Sequence, residues 1–159
     1  MRELIVLAAF CLLVAGCSDH VVYQADATIP NGTWDRSFVP EFTFEVDDTV
    51  RHHDLYIDVR HTGDYPFSDL FVFLDLYGPE ERHMRDTVEC ILADPDGRWL
   101  GKGTGFVFAD RFDAHVLYRL RNRFPAPGRY MIRLEQAMRT EQLPGVLDVG
   151  ISVERSRGE

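Results

Sequence analysis

The segment Leu147-Asp148-Val149-Gly150-Ile151-Ser152-Val153-Glu154 alternates apolar and polar or small residues without a break. Successive side chains of a β-strand point to opposite faces, so this pattern predicts a strand with one face against a core and the other in water. The same alternation recurs upstream in residues 55–60 and 130–135. Three half-buried strands spread along the chain indicate an all-β protein.

Further strands are predicted at residues 42–46, 70–77, 88–92, 105–109 and 115–120. The string Leu70-Phe71-Val72-Phe73-Leu74 is apolar at every position, which is typical of a central strand covered on both faces. Turn sequences such as Asp94-Pro95-Asp96-Gly97 separate the strands, and helical periodicity is limited to one turn near residues 135–141. Short strands at regular spacing predict a single β-sandwich of jelly-roll or immunoglobulin-like kind.

The N-terminus carries a different pattern. Arg2 precedes an apolar run over residues 4–14, which is shorter than the about 20 residues of a membrane span and matches the apolar region of a signal peptide. The run ends in Val14-Ala15-Gly16-Cys17, the form of a lipobox, in which the cysteine is acylated and the bond before it is cut. An ordinary secretory signal or an apolar N-terminal strand is the alternative.

These observations divide the chain into three parts. We expect residues 1–16 to be a cleaved lipoprotein signal peptide, residues 17–20 a short acylated tether, and residues 21–159 the β-sandwich domain. Two or more acyl chains on Cys17 anchor a protein stably to a membrane.

The charge balance limits the classes of partner. The chain has 17 Lys and Arg against 26 Asp and Glu, a formal net charge of −9. An acidic chain whose sequence shows no cluster of basic residues is a poor binder of nucleic acid or of an anionic lipid surface. The acyl chains are therefore the predicted membrane contact.

The three cysteines have separate fates. Cys11 leaves with the signal peptide and Cys17 is acylated, so Cys90 has no partner for an intramolecular disulfide. Cys90 is in phase with Val88 and Leu92, which predicts a small buried apolar residue rather than a reactive thiol.

No motif in the sequence requires catalysis or a cofactor. The glycine-rich residues 97–105 lack the spacing of a phosphate-binding loop, and a strand rather than a helix follows them. A calcium site at Asp94 and Asp96, or at Asp47 and Asp48, lacks the later ligands that such a loop needs. No Ser-His-Asp or Cys-His motif is present, so we predict no enzyme activity, no cofactor and no metal site.

Histidines and aromatic residues supply two further hypotheses. His52 and His53 are adjacent in a predicted strand and so face opposite ways, which favours solvated histidines over a shared zinc ion. Trp34 and Trp99 could form an exposed face that stacks on glycans. Most aromatic side chains, such as Phe44, lie at inward phase and are predicted to fill the core.

Several strings along the domain resemble the GldH family of gliding-motility lipoproteins. They are Asp54-Leu55-Tyr56-Ile57-Asp58-Val59-Arg60-His61-Thr62, Tyr65-Pro66-Phe67-Ser68-Asp69-Leu70, Asp86-Thr87, Trp99-Leu100-Gly101-Lys102-Gly103, Glu135-Gln136-Ala137-Met138-Arg139 and Leu143-Pro144-Gly145-Val146-Leu147-Asp148-Val149-Gly150. Together with the lipobox, they make a resemblance that spans nearly all of the mature domain. The resemblance implies a lipoprotein needed for gliding and linked to the envelope machinery that moves or secretes surface adhesins. It implies no catalytic residue.

The sequence thus predicts a non-enzymatic lipoprotein, anchored through Cys17 to the outer membrane and on its periplasmic face, that serves a gliding or secretion assembly. Residues 139–150, with Arg139 and the turn at Pro144 and Gly145, are the predicted contact loop for a protein partner. A glycan-binding outer-membrane lipoprotein is the alternative.

Overall fold

The computed structural model describes residues 20–103 and 110–157, and nearly all regular structure in these ranges is β-strand. The strands are β1 (Val21–Thr28), β2 (Thr33–Asp35), β3 (Glu41–Val46), β4 (His53–Thr62), β5 (Asp69–Tyr77), β6 (His83–Ile91), β7 (Lys102–Gly103), β8 (Arg111–Asn122), β9 (Gly128–Gln136), β10 (Gln142–Pro144) and β11 (Val146–Arg155). A 3-10 turn at Pro30–Gly32 is the one helical element in the described ranges. The predicted signal peptide, Cys17 and the strand predicted at 105–109 lie outside the described residues.

Two antiparallel sheets form the sandwich. The first sheet has the order β1-β11-β4-β8-β7 and the second sheet has the order β3-β9-β5-β6, while β2 and β10 pair separately. Without the three short strands β2, β7 and β10, eight strands remain, four in each sheet, and the chain crosses between the sheets in the order of a jelly roll. The β-sandwich prediction is confirmed, and of its two variants the jelly roll is correct.

The core lies between the inner faces of the two sheets. Leu55, Ile57 and Val59 of β4 are buried, as their alternation predicts. From the opposite sheet the ring of Phe44 lies 5.2 Å from that of Tyr23 and 6.0 Å from that of Tyr130. The predicted core role of these aromatic residues is confirmed.

Strand β5 is central, but it is covered on one face only. It pairs with β9 on one side and β6 on the other, and Leu70, Val72 and Leu74 are fully buried. Phe71 and Phe73 lie half-buried on the outer face, where the guanidinium of Arg85 covers the Phe73 ring at 4.5 Å. The prediction of a central strand is confirmed, and the guanidinium of Arg85 covers part of its apolar outer face.

The sandwich has two ends, which we name by their loops. The N-terminal end holds the start of β1 and the loops 47–52, 78–82 and 123–127. The far end holds the loops 63–68, 92–101 and 137–141. The 137–141 segment contains no helix, so the helical turn expected near 135–141 is wrong: β9 continues through Gln136 and an irregular loop follows. In the described ranges no helix is long and apolar enough to cross a bilayer.

Candidate functional site

An aromatic cluster supports the far end. His61, at the end of β4, is fully buried, and its ring centroid lies 4.6 Å from that of Trp99, 5.7 Å from that of Tyr65 and 5.6 Å from that of Phe112. The hydroxyl of Tyr65 donates to the backbone carbonyl of Asp69, the first residue of β5, at 2.8 Å. This packing holds the 63–68 and 92–101 loops against the end of the first sheet.

The 137–141 loop, which carries Arg139, is held from both sides. Fully buried Gln136 donates to the Thr140 carbonyl at 2.9 Å and accepts from the Met138 amide at 2.9 Å. From outside, Arg36 donates to the Met138 carbonyl at 2.6 Å. The exposed side chain of Arg139 therefore projects from a loop of fixed shape.

The predicted contact loop 139–150 proves to be mostly strand. Gln142–Pro144 forms β10, which pairs with β2, and β11 begins at Val146. Pro144 is exposed, but Gly145 is half-buried at φ +86°, and a Cβ on it would lie 2.9 Å from Tyr65 Cα. Gly145 therefore has a structural role, while Arg139 and Pro144 remain available for contact.

Neither tryptophan has the exposure that a glycan-stacking face needs. Trp34 is fully buried, and its indole N–H donates to the Phe38 carbonyl at 2.8 Å. Trp99 is half-buried and packs against the core through His61. The predicted exposed pair of coplanar aromatics is absent from the described residues, because both side chains contribute to packing.

Two histidines are buried, and one of them, His53, was predicted to be solvated. His53 and His61 are buried, and burial lowers the pKa of both imidazoles. The ring of His53 meets Phe124 edge to face at 5.4 Å, and its Nδ1 has no hydrogen-bond partner. Both positions are in phase with Leu55, Ile57 and Val59 of β4, so extending the alternation of that strand by one residue pair at each end would have placed both histidines in the core. Within residues 20–103 and 110–157, no group of three His, Cys, Asp or Glu residues is placed to hold a metal ion.

The Asp-Pro-Asp-Gly sequence is a turn, as its composition predicts. The carboxylate of Asp94 accepts from the backbone amides of Asp96 at 3.0 Å and Arg98 at 2.8 Å, and from Arg98 Nε at 2.9 Å. Its oxygens are thus occupied by the turn itself.

Cys90 is fully buried, also as predicted, and burial raises the pKa of its thiol to about 12.

The outer face of the first sheet carries an open groove of about 520 Å³, lined by acidic residues from four strands. Arg60 bridges two of them, with Nε 2.6 Å from an Asp113 oxygen and Nη1 3.2 Å from an Asp148 oxygen. Gly150 of β11 pairs with Asp26 of β1 on one side and with Asp58 of β4 on the other, so only a glycine lies between these two carboxylates. We call this feature the acidic groove.

The electrostatics of the acidic groove are dominated by carboxylates. Asp58 pairs with His115 and raises the pKa of that imidazole through their hydrogen bond. Burial, with the nearby charges of Asp58 and Asp148, raises the pKa of Asp26. The sequence analysis missed this groove, since its residues are far apart in sequence and the strand register alone brings them together.

Fold and strand order define a jelly-roll β-sandwich domain. Residues 21–153 match the family model described as GldH lipoprotein, and the chain belongs to that family, as the resemblance implied. The chain is 29% identical over 152 residues to "Gliding motility lipoprotein GldH homolog" of Christiangramia forsetii, which covers 91% of this chain and 90% of the relative. It is 28% identical over 157 residues to "Gliding motility lipoprotein GldH" of Flavobacterium johnsoniae, covering 94% of each.

Solved structures show only distant similarity. The VP2 subviral particle of infectious bursal disease virus is matched at 12% identity and a TM-score of 0.33, over 86% of this chain and 31% of that one. This chain thus spans about a third of the viral protein, and the similarity is too low to carry an argument.

Proposed function

We propose that this protein is a non-enzymatic component of a gliding-motility assembly, anchored by acyl chains on Cys17 to the periplasmic face of the outer membrane. In this proposal the far end binds a protein of the machinery that moves or secretes surface adhesins. The relatives named as gliding motility lipoproteins support the gliding role. The lipobox at Cys17 supports the anchor and the division into a signal peptide (1–16), a tether (17–20) and a domain (21–159).

The observation that supports a partner site at the far end is that the anchor lies at the opposite end of the sandwich. Cys17 precedes β1 by four residues, so the anchor attaches at the N-terminal end. Strand β4 runs ten residues from that end to the far end, a length of about 33 Å. The far end is therefore the part of the domain that an anchored protein presents away from the bilayer.

The strings that carry the family resemblance meet at the far end. The string 65–70 packs beside Gly145 of the string 143–150, and Trp99 of the string 99–103 contacts Tyr65 at a ring distance of 6.3 Å. The string 135–139 joins them through the Ala137 amide, which donates to the Phe71 carbonyl at 2.8 Å. A surface built by several such loops on a rigid sandwich is a common form of binding site.

The absence of enzymatic chemistry is part of the proposal. An active site needs a concave group of titratable residues with a nucleophile or base in reach. The acidic groove has carboxylates and one imidazole, but Asp58 and Arg60 hold these groups in structural ion pairs. This arrangement suits the attraction of a basic partner surface better than it suits catalysis.

The test is crosslinking in intact gliding cells, followed by identification of the captured proteins. Wild type is compared with Cys17→Ser, with Arg139→Ala, and with Arg129→Ala as a matched control on the outer face of the second sheet. We expect wild type and Arg129→Ala to capture motility or secretion proteins, and the other two variants to lose them. Capture unchanged in Arg139→Ala removes the 137–141 loop from the contact. Recovery on polysaccharide with no protein partner favours the glycan-binding alternative.

A further inference from the structure

A second cavity, of about 180 Å³, opens at the N-terminal end between β5, β6 and the end of β8. It combines cationic and apolar side chains. The pocket is lined by the arginines Arg82, Arg119 and Arg123, by His83, whose Nε2 lies 2.9 Å from an Asp75 oxygen, and by the apolar rings of Phe124 and Tyr130. We call it the basic pocket.

The basic pocket keeps a positive charge after its ion pairs are counted. Arg119 Nη2 lies 3.0 Å from an Asp86 oxygen, and Arg82 Nη2 lies 3.3 Å from an oxygen of exposed Glu80. Arg123 is exposed and forms no ion pair within the described part of the chain. One guanidinium is thus uncompensated, and a second is paired only through an exposed contact, which water weakens.

The basic pocket lies on the same end as the anchor. Val21 is the fourth residue after Cys17, so the two are at most about 14 Å apart along the chain. Val21 of β1 pairs with Glu154 of β11. The next residue of β11, Arg155, pairs with His53 of β4. His53 in turn pairs with Asn122 of β8, at the rim of the pocket. Three strand spacings, about 15 Å in total, therefore separate the start of β1 from the pocket.

The apolar surroundings fit a bilayer surface as well. Two exposed apolar side chains lie at the same end of the sandwich: Leu120, near the end of β8, is 64% exposed, and Val50, in the 47–52 loop, is 75% exposed. Phe124 and Tyr130 are buried and in contact at a ring distance of 4.7 Å, so the pocket floor is rigid. A ligand that satisfies both parts of the site has an anionic head and an apolar body.

We propose that the basic pocket binds a phosphate group attached to an apolar chain, supplied by the headgroup of an anionic membrane lipid. Arg82 and Arg123 contact the phosphate oxygens, as planar guanidinium groups do in a bidentate manner. Leu120 and the apolar rim then rest against the lipid. The inference depends on the proposed function, because the anchor at Cys17 is what brings the pocket to the bilayer. Headgroup binding would fix the tilt of the domain and direct the far end away from the membrane.

The first arm of the test uses the acylated protein in neutral detergent, titrated with inorganic phosphate and with a short-chain phosphatidylglycerol. We expect the lipid to bind more tightly than phosphate, and Arg82→Ala/Arg123→Ala to weaken lipid binding at least about tenfold. Both side chains are exposed, so the double variant keeps its fold. Arg98→Ala, which removes an exposed arginine at the far end, is the matched control and binds like wild type. Lipid and phosphate binding unchanged in the double variant overturn the proposal.

The second arm places the acylated protein on vesicles of phosphatidylcholine, with and without phosphatidylglycerol, and follows amide hydrogen exchange of residues 119–125. We expect added protection only on the anionic vesicles, and its loss in the double variant. Equal exchange on both vesicles overturns the lipid assignment, and phosphate binding in the first arm then identifies a site for a soluble phosphate ester. A protein that stays on neither vesicle shows that the anchor at Cys17 fails, while the first arm still decides whether the pocket binds.

Discussion

Gly145 and Tyr65 approach so closely that no other residue fits at position 145. A Cβ on Gly145 would lie 2.9 Å from Tyr65 Cα, and the glycine has φ +86°. Its amide donates to the Gly32 carbonyl at 2.9 Å, and its carbonyl accepts from the Thr62 amide at 2.8 Å. One glycine thus joins three segments of the far end.

Gly145→Ala is expected to destabilise the domain by about 3 kcal/mol or more. The left-handed backbone costs a non-glycine residue about 1–2 kcal/mol, and the contact with the Tyr65 backbone adds an overpacking cost of about 1–3 kcal/mol. Denaturant unfolding measures the change. Gly97→Ala is the matched control, since Gly97 has φ +81° but nothing within 4 Å of a Cβ. Equal losses of unfolding free energy in the two variants would show that the contact with Tyr65 adds no cost to that of the left-handed backbone.

Gln136→Leu is expected to loosen the 137–141 loop while leaving the two sheets intact. The substitution removes the hydrogen bonds to Met138 and Thr140; the Met138 amide loses its acceptor, at a cost of about 1–3 kcal/mol, while the Thr140 carbonyl still accepts from Arg36 at 3.3 Å. Amide hydrogen exchange should rise in residues 137–141 and stay unchanged in β4. Arg36→Ala, which removes the outer contact to the loop, should have the smaller effect. A uniform rise in exchange across the domain would contradict a local role for Gln136.

The sheets could be predicted from the sequence where alternation is strong and side chains are large. Strand β4 shows this, because Leu55, Ile57 and Val59 alternate with polar residues and are buried. Strand β1 escaped detection because its inward positions after Tyr23 are the small residues Ala25 and Ala27. Strands β2 and β10 have three residues each, which is too short for any periodicity.

The surface features could not be predicted, because strand register assembles them. Asp26, Asp58 and Asp148 are each an ordinary outward residue of a separate strand, and they meet only through the pairing of β1, β11 and β4. Arg82 and Arg123 lie in loops beside strands of different sheets, so the packing of the two sheets brings them together in the basic pocket, and the alternating Arg119, Arg121 and Arg123 were the one local signal of it. Net charge gave no indication that one end of an acidic chain holds a cationic cavity.

Thiol counting tests the predicted processing. Burial holds the pKa of Cys90 at about 12, so at about pH 8 its thiol is protonated as well as inaccessible. The native mature protein should not react with Ellman's reagent, and after denaturation it should titrate one thiol. The full chain has three cysteines, so a count of three in denatured protein from cells would contradict removal of Cys11 and acylation of Cys17.

The stability of the domain should fall as the pH drops below about 6.5. Burial lowers the pKa of His53 and of His61, so in this range the unfolded chain binds protons that the folded domain does not. Unfolding is then favoured by up to about 1.4 kcal/mol per pH unit for each histidine. His115 acts in the opposite direction, because its hydrogen bond to Asp58 raises its pKa; its contribution is present below about 6.5 and is lost as the pH rises through the folded value.

The two buried histidines therefore destabilise the domain in acid, and His115 offsets part of that loss. His53→Phe should keep the edge-to-face contact with Phe124, remove the unpaired Nδ1 and flatten the dependence of unfolding free energy on pH. Denaturant unfolding over a pH series measures both curves. A slope as steep in His53→Phe as in wild type would mean that the folded domain accommodates a protonated His53, and that burial at this position is incomplete.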